Sequence, residues 1–167
     1  MARIRFSRLD DYTLQLSRLA AHTEEIAGKA IYAGADIITD AIRAKIEALH
    51  PSSDKAGLFA YQKKEPAPLT QTAKQGLLDG LGITKMQNDA GFWNVKVGFD
   101  GYNDMPTRKY PNGQPNQLIA RSLEFGSSIA QKHPFVRPAI NASRKRAEAK
   151  MAEVLDKEIK KVMDQGG

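Results

Sequence analysis

The chain has no cysteine in its 167 residues. Disulfides, thiolate zinc sites and a cysteine nucleophile are therefore excluded, and a reducing compartment fits. Aromatic residues make up only 7%, with a single tryptophan, so an aliphatic, alanine-rich core is expected. Histidine occurs three times, at His22, His50 and His133, far apart and without metal-ligand spacing. No apolar run approaches the roughly 20 residues of a membrane span. No secretory signal is visible either, because Asp10 and Asp11 stand where an apolar segment should follow the basic start. The glycine-rich phosphate motifs are missing. Ser127 and Ser128 follow Gly126 without the nucleophile elbow. The run Asp100-Gly101-Tyr102-Asn103-Asp104 has a misplaced glycine for a calcium loop and no closing glutamate. Paired carboxylates, Asp10-Asp11 and Glu24-Glu25, fall at expected helix starts, where capping and the helix dipole explain them. Catalytic, cofactor-binding and metal-binding residues are each expected to be none, and the chain reads as a non-enzyme.

What is present is ordinary for a globular chain: 41% hydrophobic and 26% charged residues, enough for one domain spanning 1–167. The net charge is +6 and the isoelectric point about 9.5. Such a surface can meet DNA, an acidic protein face or an anionic membrane. Here the lysines and arginines are spread along the chain, whereas a dedicated DNA binder concentrates them on one face.

Residues 2–6 alternate as a short strand or extended arm. A helix is expected from Ser7, with Asp10 in the position that closes a capping box and a stripe of Leu9, Tyr12, Leu16, Leu19 and Ala20. A second start is expected at Thr23, followed by the longest buried-looking helix, 26–49. Its stripe runs Ile26, Ala30, Ile31, Gly34, Ile37, Ile38, Ala41, Ile42, Ile46 and Leu49. Gly34 lies on that stripe and marks a close approach of another backbone. His50-Pro51 ends the helix. Thr70 to Leu81 forms a short helix. Two strands, 83–87 and 92–99, flank turn chemistry at Asn88 to Gly91 and predict a hairpin. Trp93, Val95, Val97 and Phe99 share one face, and burying each is worth roughly 1.5–3 kcal/mol. That strand is expected to anchor the core.

Two long loops are expected, at about 51–69 and 100–116. The first has no period but carries Leu58, Phe59 and Tyr61, as a lid over the chain's own core or an arm toward a neighbour. The second places Tyr102 and Tyr110 beside Arg108 and Lys109. It suits stacking on single-stranded nucleic acid or an interface loop; no nucleic-acid motif accompanies it, which favours the interface. A charged helix is expected from Pro138 to about Met163. Its run Arg144-Lys145-Arg146 reads as a solvated face or as phosphate contacts.

The most specific stretch is 117–140, QLIARSLEFGSSIAQKHPFVRPAI. It begins helical, breaks at Gly126, and passes through a proline-framed Phe135 into the last helix. The runs ARSLEFGSS and HPFVRPAI, with the alanine-rich helix AGKAIYAGADIITDAIRAKIEAL and NVKVGFDGYN before KYPNGQPNQLIARSLEFG, resemble the small neck and tail-component family of long-tailed bacteriophages. These are the gene-product-ten-like tail-completion or head–tail joining proteins. The resemblance covers nearly the whole chain in order, and the variable 51–68 loop is its one departure.

The resemblance implies an α+β fold, with long N-terminal and C-terminal helices packed on a small antiparallel β-sheet. It implies a structural virion protein without catalysis, forming a hexameric ring between the head connector and the tail tube. In isolation the chain is expected to stay monomeric. Expected partners are other copies of itself, the head-closure or connector protein, the tail terminator or tube protein, and passing genomic DNA without sequence preference; no membrane is expected. Assembly in the bacterial host cytoplasm and residence in the virion neck follow. The alternatives are a terminator capping the tail tube and a basic DNA-binding accessory protein. Glu124, Phe125, Gly126, Pro134, Phe135, Arg137 and Pro138 match the family pattern and are expected to be structural or interface positions. Tyr102, Arg108 and Tyr110 join them as interface candidates. Within the stretch, Phe135 is expected to clamp the last helix, while Glu124-Phe125-Gly126 and the loop 127–133 face a neighbour.

Overall fold

A computed structural model describes residues 7–105, 109–128 and 130–164, with side chains from Thr13 onward. The fold is α+β. Helix α1 spans Ser7–Glu47 and helix α5 spans Val136–Asp164. Between them lie three short helices, α2 (Asp54–Lys63), α3 (Gln71–Gly80) and α4 (Asn116–Phe125), and four three-residue strands. The extended 2–6 segment lies outside the described residues.

The two long helices pack antiparallel. Lys29 pairs with Glu158 at 2.7 Å, and Gly34 sits against Met151 and Ala147. A Cβ added at Gly34 would lie 2.5 Å from Met151 Cγ and 3.6 Å from the Ala147 carbonyl oxygen. The close neighbour at this glycine is thus the Met151 side chain and not the backbone that the sequence suggests, since the α5 backbone lies at ordinary contact distance.

Thr23 does not start a second helix. α1 is continuous, and the Thr23 hydroxyl donates back to the carbonyls of Leu19 and Ala20. Helix-neutral threonine caps only where the preceding residues break, and nothing between Ala20 and Glu25 does.

The 51–69 segment is not a loop throughout. Ser53 accepts a hydrogen bond from Ala56 N and caps α2, which ends on Lys64 in the left-handed conformation. The Asp54 carboxylate accepts bonds from the hydroxyl and the backbone nitrogen of Thr72, at 2.7 and 3.1 Å. Those bonds hold its pKa below the usual value. α2 docks through Gly57 and Ala60, while Leu58, Phe59 and Tyr61 stay exposed. They form no lid over the core. A short amphipathic face built on glycine and alanine escapes a search for bulky periodic residues.

The hairpin forms, with an interruption. β1 (Leu81–Ile83) pairs with β4 (Val97–Phe99), and β2 (Gln87–Asp89) pairs with β3 (Phe92–Asn94). Three residues, 84–86, face two, 95–96, so the ladder bulges. Tyr32 of α1 holds the bulge: Met86 N donates to its hydroxyl at 2.9 Å, and the hydroxyl donates to Thr84 O at 3.3 Å. Trp93, Val95, Val97 and Phe99 are all only half-buried. Val97 and Phe99 pack on the core. The strand lines the core on its near half and does not anchor it along its length. The core is Ile42, Ile46, Leu69, Ala73, Leu77, Leu81, Ala120, Leu123, Phe135 and Ala139, where α1, α3, α4 and the start of α5 meet.

Candidate functional site

The stretch 117–140 builds a junction in which two helices are tied end to side. α4 carries Glu124, which is 9% exposed. Its carboxylate accepts from the backbone nitrogens of Phe135 and Val136 at 2.9 Å and of Arg137 at 3.0 Å. These are the cap residue and first two positions of α5. The next residue, Pro138, has no N–H to satisfy. One carboxylate and one proline thus settle the donors that a helix start leaves open. The negative charge also faces the positive end of the helix dipole. Burial raises the Glu124 pKa, but the three N–H bonds and the Arg137 charge outweigh it and hold the carboxyl below its usual value.

A second charged side chain closes the neighbouring helix end. Lys74 of α3 donates from Nζ to the carbonyl oxygens of Glu47 and Leu49, at 2.7 and 2.8 Å. It is a cation at the C-terminus of α1, the favourable sign for that pole. Because the long helices are antiparallel, these two ends share one end of the molecule, and each is held by a short helix.

Phe135 is 1% exposed and meets Phe99 edge-on, with centroids 5.8 Å apart. It is the anchor that the sequence suggests. Gly126, at φ +75°, takes a conformation that side chains rarely adopt, and its N–H bonds Ser122 O to close α4. The chain then returns, with His133 N donating to Leu123 O.

The interface expectation divides at this point. Glu124 points inward to α5 and is not available to a neighbour. Phe125 is exposed with the Arg137 guanidinium 5.7 Å from its ring centroid, and Pro134 and Pro138 are exposed. Tyr102 is exposed, its backbone bridged to Pro115. Tyr110 lies half-buried beside Lys109, whose Nζ is 5.5 Å from the ring centroid. Arg108 lies outside the described residues. Asn103 holds this loop from inside: its Oδ1 accepts from Met105 N and Gln114 N. α4 begins at Asn116, so the loop ends at Pro115.

Sequence reading missed an apolar groove of about 600 Å³ between α2, α4 and the segment 109–114. Leu58, Tyr61, Met105, Tyr110, Leu118 and Ile119 are among its walls. The exposed Leu58 and Tyr61 were its only signal. Among the described residues no group of three metal-ligating side chains comes together, and no helix is long and apolar enough to cross a membrane. Compared with family models, with curated proteins and with solved structures, the chain has no match.

Proposed function

We propose that this chain is a non-catalytic structural protein of the phage neck, a tail-completion or head–tail joining protein that forms a ring between head connector and tail tube. One observation supports the reading above the others. The residues that carry the family resemblance, Glu124, Gly126, Phe135 and Pro138, build a single device that fixes the last helix. Their pattern therefore has a mechanical reason. A rigid junction with exposed Phe125, Tyr102 and α2 side chains suits a ring protomer, whose stiff core must present surfaces to the next copy. The test is location. A reconstruction of the virion is expected to hold copies of this chain at the head–tail junction, and a junction without them overturns the proposal. A tail terminator would instead bind tube protein in the absence of heads. Assembling heads and tails separately distinguishes the two roles.

A further inference from the structure

α1 outruns its partner. Beyond the Lys29–Glu158 ion pair, α5 has six residues left and ends at Asp164, whereas α1 continues back to Ser7. About 16 residues of α1, roughly 24 Å, thus extend past α5. The face that packs on α5 through Ile26, Ala30 and Gly34 continues into this overhang through Leu16 and Leu19. Leu16 is 64% exposed. Helices in proteins draw most of their stability from packing an amphipathic face, so an uncovered apolar stripe there calls for a covering partner.

The apolar groove lies at the other end of the molecule. Its walls Leu69, Ala73 and Leu123 belong to the core cluster around Ile42 and Ile46. Ile46 is about 45 Å along α1 from Leu16. The overhang therefore cannot reach its own groove. We infer that the overhang of one copy docks, through Leu16 and Leu19, in the groove of a second copy, against Leu58, Tyr61 and Leu118. An apolar helix face in an apolar groove is a recurrent recognition mode. The same contact covers both open surfaces and continues the α1–α5 interface. It is head-to-tail, the kind that closes rings or extends filaments. The groove is short, so one such contact is smaller than the interfaces that hold stable dimers. One such contact is weak alone and gains from closure, which rests on the ring reading proposed above.

The cysteine-free chain gives a direct test. Leu16→Cys and Leu58→Cys both change exposed side chains, and their melting is expected to match the parent. Mixed at high concentration and oxidised, the two variants are expected to form a bridge between position 16 of one and position 58 of the other. Adding Tyr61→Asp to the Leu58→Cys chain is expected to cut that bridge about tenfold or more. The chain carrying both cysteines is expected to give a ladder ending in a closed species. No mixed bridge, or only bridges between two copies of position 16, overturns the docking. A closed ring by native mass spectrometry without a 16–58 bridge overturns the docking and leaves the ring standing. A ladder that never closes supports the docking and overturns the ring.

Discussion

The Glu124 carboxylate lies 2.9 Å from the backbone nitrogen of Phe135, eleven residues further along the chain. The bond joins the last turn of α4 to the first of α5, and with Val136 and Arg137 it forms a three-donor cap. A helix is usually capped by a short side chain directly before it. Here the cap comes from another helix, so starting α5 and docking α4 are one event.

Glu124→Ala is expected to destabilise the protein by roughly 2–3 kcal/mol, since it leaves several donors unpaired at a buried helix start. Glu124→Gln should recover part of this, because an amide offers one acceptor oxygen where the carboxylate offers two. Chemical denaturation of the three proteins checks the order.

The same contact predicts a pH dependence. The folded pKa of Glu124 is lowered, so its contribution is fully present above the unfolded value, near 4.5. It is lost as pH falls through the folded value. Stability should drop on acidification below about pH 5, and less steeply in Glu124→Gln. Asp54 is lowered too, by its bonds to Thr72. Some acid sensitivity should therefore remain in that variant, and identical acid profiles would rule out the Glu124 share.

Phe135→Ala is expected to cost about 3–5 kcal/mol. Its coupling to Phe99 across the edge-on contact should be about 0.5–1.5 kcal/mol in a double-mutant cycle. Unchanged melting of Phe135→Ala would mean that the segment does not clamp α5.

Two glycines of α1 should respond oppositely to alanine. At Gly28 the new Cβ meets Met86 Sδ at 3.4 Å, an ordinary contact. Gly28→Ala should stabilise by up to about 1 kcal/mol through helix propensity. At Gly34 the Met151 side chain is in the way, and Gly34→Ala should destabilise by about 1–3 kcal/mol. Adding Met151→Ala to Gly34→Ala should relieve that clash; thermal melts of the four proteins give the comparison.

Much of this architecture is legible from residue order. The stripe Ile26 to Ile46 and the buried Phe135 follow from period and size; the turn expected over Asn88 to Gly91 narrows to Ala90-Gly91, because Asn88 and Asp89 pair in β2. Four features were not. α2 hides because Gly57 and Ala60 do its packing. Thr23 misleads because its hydroxyl has two uses, capping a start or bonding back within a helix, and local sequence does not separate them. Glu124 reads as an exposed charge because its partners are backbone N–H groups, which carry no sequence signal. Lys74 on the end of α1 is hidden for the same reason.

The bulge opposite residues 95–96 divides the hairpin into a near half that touches the core and a far half that does not. Phe92 at the far end is 77% exposed, and Tyr32 pins the backbone where the halves meet. Tyr32 thus ties the ribbon to α1 where its two halves meet. The ribbon can be lengthened, shortened or given a label at Ala90-Gly91 without disturbing the junction that holds α5. Its reach is an independently adjustable dimension of the molecule.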